Sequence, residues 1–277
     1  MVGGEREAAF DRIVKTQKRF SIIYDFTASD AKDVRAVLEH FPGTRYVFIS
    51  SMWVTKRWDF HLSCEAPPPE SELNDGSEMP EITEQYTRRK IRCEQALLSH
   101  HSNSGIIVRL PIVWGLGDHT RRLDFYATRI IRHARILLVN GGTNRAPIAN
   151  KTDVSIALKE LTRMSETVPS ILEALPSTQW TVKEWIGEIA NGLGQSITTR
   201  DVDDGILRRE LPEYLVKEPL WREIGIPRSD FNLFGLTGIK ETNPLEWLNG
   251  VLLDRAGKVA SEVIDPQEMH FLGLDHA

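Results

Sequence analysis

The stretch YVFISS, residues 46–51, is an apolar run that ends in two hydroxyl side chains, and it indicates the fold more clearly than any other segment. Such a run is typical of a buried strand. The next regular segment is EQYTRRKIRCE, residues 84–94, where neither proline nor glycine interrupts a helix. A second apolar run, GIIVRLPIVWG at 105–115, follows it. Strand, long loop, helix and strand in this order indicate an α/β protein with a parallel sheet.

Tyr86 and Lys90 lie four residues apart, which puts both side chains on one face of the predicted helix. An ammonium beside a phenol favours the phenolate and lowers a tyrosine pKa that is otherwise about 10. With Ser51 holding a substrate oxygen, the tyrosine can act as general acid or base. The spacing alone is also common on exposed helix faces with a snorkelling lysine, so the order of the surrounding segments carries the prediction.

These segments resemble the extended short-chain dehydrogenases/reductases, the NAD-dependent epimerase/dehydratase family. In that family a catalytic serine or threonine lies three residues before a valine, as Ser51 lies before Val54. Tyr86 and Lys90 match the family's Tyr-x-x-x-Lys pair, and RLPIVWGLGD at 109–118 is similar to its Arg-Pro-x-x-Val-Tyr-Gly-Pro-Gly-Asp. The resemblance also includes SIIYDFTA at 21–28, similar to the strand beside the cofactor pyrophosphate, and APIANKTDV at 146–154.

The resemblance implies an oxidoreductase that uses NAD or NADP on a hydroxyl or keto carbon of a nucleotide sugar or similar polyol. Its implied catalytic residues are Ser51, Tyr86 and Lys90. The residues implied to contact the cofactor are Phe26, Thr27, Ala28, Ser50, Lys90, Pro111 and Val113. Those implied to contact the substrate are Trp53, Gly115, Arg121 and Arg122. Simple packing explains Trp53 equally well, and a solvated face explains the two arginines equally well.

Two departures from the family pattern qualify this function. Met52 and Trp53 stand where dehydratases of the family usually carry Asp-Glu, which argues against dehydration. The glycine-rich loop that cradles the pyrophosphate after the first strand is absent. A cofactor-free pseudoenzyme, an interaction module, or a non-redox lyase or isomerase is therefore the alternative function.

The N-terminus falls near the end of the family's third strand, so the first strand, its helix and the second strand are expected to be missing. Ile22, Ile23, Tyr24 and Phe26 should then form an exposed apolar sheet edge, which invites pairing with another chain. An incomplete product of a longer gene is the favoured explanation. A dimer through that edge, and a fold adapted to work without a dinucleotide, remain open.

The predicted architecture is an incomplete doubly wound, Rossmann-like sheet with a small C-terminal α+β substrate domain. Residues 1–165 form the Rossmann-like domain, lacking its first βαβ unit and with 105–150 crossing to the substrate side, and 166–277 form mainly the substrate domain. The predicted strands are 21–28, 45–51, 105–113, 135–139 and 170–175, and the predicted helices include 5–20, 31–41, 82–100, 122–133, 153–164 and 181–193. A loop is expected over 53–80 because it holds three consecutive prolines and many acidic residues.

Composition fits a cytoplasmic enzyme. At 277 residues the chain can bury a large core, and its net charge of −5 implies no general affinity for nucleic acid. Its two cysteines, Cys64 and Cys93, are too few for a disulfide scaffold and have no metal-ligand spacing, so no metal site is expected. No apolar run approaches the ~20 residues that span a membrane, and no signal peptide is visible. The expected partners are a small-molecule substrate and, by resemblance, a second copy in a homodimer.

Overall fold

The computed structural model describes residues 3–16, 19–56, 81–100, 105–118, 120, 122–164, 168–220, 231–256 and 266–274. The chain divides into two compact units that alternate along the sequence. The first unit contains Met1–Pro111, Ile156–Leu175 and Gly225–Ile239, and the second contains Ile112–Ser155, Pro176–Ile224 and Lys240–Ala277. Every sheet among the described residues is parallel, which confirms the predicted α/β class.

The first unit holds a four-stranded sheet. Its elements are α1 (Gly3–Lys15), β1 (Ile22–Asp25), α2 (Ala31–His40), β2 (Arg45–Ser51), α3 (Trp53–Lys56), α4 (Glu81–Leu98), β3 (Gly105–Leu110), the last part of α6 (Lys151–Leu161), β7 (Ile171–Glu173) and α10 (Leu233–Thr237). The strand order is β1-β2-β3-β7. The register pairs Ser50 with Arg109, and Arg109 with Glu173, across the sheet. The carboxyl ends of β2, β3 and β7 therefore lie side by side.

The core of this unit lies between the sheet and helices α2 and α4. Phe48 and Ile107 on the strands pack with Val37 and Leu97 on the helices, and all four side chains are buried. Gly105 lets α4 approach β3 closely, because a Cβ there would lie 2.6 Å from Leu97 Cδ1. This close packing fixes the distance between α4 and the sheet, and so the position of the α4 side chains relative to the strands.

Strand β1 is the edge of the sheet, since it pairs only with β2 among the described residues. Phe26, directly after it, is 59% exposed. Ile22, Ile23 and Tyr24 are half-buried rather than open, and the Tyr24 hydroxyl donates to the carbonyl of Leu158 in α6. The predicted apolar edge is thus partly covered by the chain itself.

The second unit contains two two-stranded sheets and several helices. Its elements are β4 (Ile112–Trp114), α5 (Arg122–His133), β5 (Arg135–Val139), β6 (Ile148–Asn150), the first part of α6, α7 (Val182–Gly192), β8 (Thr198–Val202), α8 (Asp204–Glu210), α9 (Pro212–Lys217), α11 (Pro244–Ala256) and α12 (Pro266–Phe271). Strand β4 pairs with β6, and β5 pairs with β8. Trp185 is fully buried at the centre of an aromatic cluster with Trp114, Trp180 and Trp247.

Several boundaries differ from the expectations; strand β1, for example, ends at Asp25, although a strand was predicted over 21–28. The strand predicted over 105–113 is divided at Pro111, which has no N–H for a ladder; β3 ends before it and β4 begins after it in another sheet. The loop predicted over 53–80 opens with the helical turn α3, and its remainder from 57 lies outside the described residues. Strand β7 pairs with β3 and belongs to the first unit, although the predicted division at 165 assigned it to the substrate domain.

No helix within the described ranges combines the length and the apolar character needed to cross a membrane.

Candidate functional site

The two serines at the end of β2 face opposite sides of the sheet, as alternation along a strand requires. The Ser51 hydroxyl accepts a hydrogen bond from the backbone N–H of Trp53 at 3.2 Å, at the start of α3. The Ser50 hydroxyl donates to Glu94 Oε1 at 2.5 Å and is buried. Ser50, predicted to contact the cofactor, is therefore hydrogen-bonded to a carboxylate of α4.

Lys90 projects from α4 onto the carboxyl edge of the sheet. Its ammonium donates to the carbonyl of Ile49 at 2.9 Å and to that of Ala28 at 3.2 Å, and also lies 4.7 Å from the centre of the Phe48 ring. The residue is only 7% exposed. Burial lowers the lysine pKa, while the negative charges of Asp25 and Glu94 act to raise it. The lysine thus ties the turn after β1 to the end of β2.

Tyr86 lies one turn before Lys90 on the same face of α4. Its ring centre is 5.9 Å from the Lys90 ammonium, and the residue is 43% exposed. An exposed phenol near a buried cation can meet a ligand from solvent. The predicted Tyr-Lys pair is close in space, and Ser51 lies two residues beyond the Ile49 carbonyl that holds the ammonium.

The predicted cofactor segment 26–28 is a turn organised by Asp25, a residue the sequence reasoning did not single out. Asp25 Oδ1 accepts hydrogen bonds from the backbone N–H groups of Thr27 (2.9 Å) and Ala28 (3.0 Å), and from the Thr27 hydroxyl (3.0 Å). Its Oδ2 accepts from the Tyr46 hydroxyl at 2.8 Å. The available signal in the sequence was an acidic residue at the end of an apolar strand pattern, and the structure shows this carboxylate to be buried.

A buried charge network lies beneath α4, and the sequence reasoning missed it as well. Arg109 binds Glu94 through Nε–Oε1 at 3.1 Å and Nη2–Oε2 at 2.7 Å, and its Nη1 lies 3.8 Å from Glu173 Oε1. Burial raises the pKa of Glu173 to about 7, although the Arg109 charge opposes this. Arg109 and Glu173 each interrupt an apolar strand pattern, which could have marked them as paired charges.

The remaining predicted contact residues are divided between the two units. Pro111, in the first unit, is buried, and Trp53 is partly buried at the start of α3. In the second unit Val113 is half-buried in β4, and Gly115 follows that strand, where a Cβ would lie 2.7 Å from Lys151 Cβ. Arg122 is half-buried at the start of α5, and Arg121 lies outside the described residues.

In the part of the chain that is described, His, Cys, Asp and Glu side chains do not gather in groups of three or more that could hold a metal ion.

Comparison with known proteins gives structural but no sequence relatives. No protein-family model and no curated protein matches the sequence. The fold is similar to that of dTDP-glucose 4,6-dehydratase from Bacillus anthracis in complex with NAD: 12% identity, 91% of this chain, 77% of that one, TM-score 0.63. It is also similar to dTDP-glucose 4,6-dehydratase from Streptomyces venezuelae, at 15% identity with coverage of 91% and 77% and a TM-score of 0.62.

The fold is also similar to that of an epimerase. The ADP-L-glycero-D-manno-heptose-6-epimerase of Helicobacter pylori is 11% identical, with 92% of this chain and 77% of that chain covered and a TM-score of 0.58. Identities this low relate the proteins by fold. The chain has the Rossmann-like fold of NAD-dependent nucleotide-sugar epimerases and dehydratases, the fold that the resemblance implied.

Proposed function

We propose that this chain is an NAD(P)-dependent oxidoreductase of the epimerase type that acts on a hydroxyl or keto carbon of a nucleotide sugar or similar polyol. The observation that carries the proposal is the placement of the Lys90 ammonium, held by two carbonyls at the sheet edge and 5.9 Å from the Tyr86 ring. Among structures of similar fold, one is in complex with UDP-glucose and NAD, and another with UDP-glucuronic acid and NAD.

The residues at this edge fit the ribose end of a nicotinamide nucleotide. Two hydrogen bonds of the Lys90 ammonium go to carbonyls, so within the described residues one of its three donors stays open for a ribose hydroxyl. Phe26 offers an exposed apolar ring beside the turn. When bound, the nicotinamide would accept or return a hydride at the substrate carbon.

Tyr86 would exchange the proton of the substrate oxygen, because its exposed phenol can reach a ligand and the Lys90 charge favours its ionised form. Ser51 would hydrogen-bond the same substrate oxygen and fix its position relative to Tyr86. Met52 and Trp53 after this serine bring neither a carboxylate acid nor a base, which favours epimerisation or dehydrogenation over loss of water.

Trp53, Gly115, Arg121 and Arg122 stay predicted substrate contacts. The homodimer and the cytoplasmic location stay predictions.

The test is titration of the purified chain with NADH and NADPH, with energy transfer from tryptophan as the signal. We expect a saturable binding signal. We also expect turnover with members of a panel of UDP- and dTDP-hexoses, followed by NMR of the products.

Tyr86→Phe should keep cofactor binding and lose about 100-fold or more in turnover, as expected for removal of a general acid–base. Arg89→Gln, an exposed neighbour on α4, is the matched control and should leave both unchanged. Full turnover in Tyr86→Phe would remove this residue from the mechanism.

The alternative function, a cofactor-free module on the same scaffold, is favoured by one observation. Lys90 joins two backbone segments, so it has a structural role that does not require a cofactor. Failure of both nicotinamide nucleotides to give a saturable signal at high micromolar concentration would favour this alternative.

A further inference from the structure

We propose that Asp25 is the positioning residue for Lys90: its carboxylate shapes the turn that receives the ammonium and supplies the counter-charge that keeps the ammonium beside Tyr86. This role would serve the reaction proposed above, and its catalytic meaning rests on that proposal. The assignment itself rests on the contacts of the turn.

The turn is built around one carboxylate oxygen. Three donors from Thr27 and Ala28 converge on Asp25 Oδ1 at 2.9 to 3.0 Å. The carbonyl of Ala28, the residue whose N–H is bound in this way, accepts the Lys90 ammonium at 3.2 Å. The Tyr46 hydroxyl fixes Oδ2 from β2, so the carboxylate has little freedom to turn. Asp25 therefore controls the position of a Lys90 acceptor through the backbone of the turn.

Charge gives Asp25 a second effect on the same ammonium. Burial lowers the Lys90 pKa, and three groups act against it: Cys93, Asp25 and Glu94. The Cys93 thiol has its pKa raised to about 12 by burial, so at neutral pH it is uncharged and contributes no negative charge. Glu94 is already bound to the Arg109 guanidinium by two hydrogen bonds. Asp25 is thus the carboxylate whose charge remains to hold Lys90 in its ionised form.

The test is the titration of Lys90 itself, read from its ¹³Cε resonance in lysine-labelled protein and assigned by its loss in Lys90→Arg. Asp25→Asn keeps the shape and an acceptor oxygen but removes the charge. We expect the Lys90 pKa to fall further in this variant, since one opposing charge is gone. In Asp25→Ala, which also removes the acceptor, the Thr27 and Ala28 amide resonances should shift in addition.

Asp33→Asn is the matched control. Asp33 Oδ2 accepts two backbone N–H groups of the same loop, from Ser29 at 3.0 Å and Asp30 at 3.1 Å, but it caps α2 and is not among the groups that act on Lys90. We expect the Lys90 pKa in this control to equal that of the unaltered protein. An unchanged Lys90 pKa in Asp25→Asn, or an equal fall in Asp33→Asn, would overturn the assignment, and Asp25→Asn decides it even if Asp25→Ala does not fold.

The NMR readout involves no cofactor, so the two proposals can fail separately. If the unaltered protein binds neither NADH nor NADPH but the Lys90 pKa falls in Asp25→Asn, the assignment of Asp25 stands and the proposed function falls. If cofactor binds and the Lys90 pKa does not move, the function stands and the role of Asp25 is refuted.

Discussion

Arg109 in the first unit and Arg129 in the second are both almost fully buried, but within the described residues they face different numbers of carboxylates. Arg129 binds one, Glu268, through Nε–Oε1 at 2.5 Å and Nη2–Oε2 at 2.7 Å. Arg109 faces two, with Glu94 in two hydrogen bonds and Glu173 at 3.8 Å. A one-to-one pair is neutral with both partners ionised, whereas a two-to-one cluster becomes neutral only if one acid keeps its proton.

The surroundings of the two arginines also differ in aromatic packing. The Arg129 guanidinium carbon lies 3.5 Å from the centre of the Phe125 ring, and Nη1 donates to the Phe125 carbonyl at 2.8 Å. Its carboxylate comes from α12, far along the chain, so this pair holds the C-terminal helix in the second unit. Around Arg109 the second acid, Glu173, can take over the charge of the first. The two clusters should therefore respond differently when one carboxylate is removed.

Glu268→Gln should have the largest effect of any carboxylate substitution in the two clusters. It removes a carboxylate that binds a buried cation through two hydrogen bonds, and losses of about 3–5 kcal/mol are usual for breaking such a pair. Urea unfolding of the full chain measures the loss. The matched control is Glu160→Gln, which breaks a 2.6 Å contact to Arg163 at the surface, where exposed pairs contribute about 0–1 kcal/mol. Equal costs for the two substitutions would show that burial does not distinguish them.

Much of the fold could be predicted from local pattern, while these clusters could not. Strand 45–51, helix 122–133 and strand 135–139 were predicted with the observed bounds, because their apolar periods and flanking turns are local features. The association of Glu94 with Arg109 depends on the sheet register and on the distance of α4 from the sheet. Neither can be read from a local sequence pattern. Among the predicted site residues, Tyr86 and Lys90 were within reach of sequence reasoning because one helical turn relates them.

Glu94→Gln should cost less than Glu268→Gln, although Glu94 also makes two hydrogen bonds to its arginine. Glu173 lies 3.8 Å from Arg109 and can ionise to balance it, so the guanidinium is not left without a counter-charge. We expect a loss on the order of 1–2 kcal/mol, from the weakened hydrogen bonds to Arg109 and Ser50. The pKa of Glu173 should fall at the same time, measurable by ¹³C NMR of its carboxyl carbon. A loss as large as that of Glu268→Gln would mean that Glu173 does not compensate.

Glu173→Gln should have the smallest destabilising effect of the three, because it is expected to raise stability by an amount that depends on pH. Burial raises the pKa of Glu173 from the ordinary 4.5 to about 7, so between these values the folded state binds more protons than the unfolded state. Stability contributed by this group is therefore present below pH 4.5, falls as pH rises toward 7, and is lost above it. The glutamine variant lacks this decline. Relative to the unaltered protein, it should gain on the order of 1–3 kcal/mol between about pH 5 and pH 8 in the free energy of unfolding. A difference that stays constant over this range, as expected for the surface control Glu160→Gln, would show that Glu173 is ionised throughout and that both clusters carry fully charged acids.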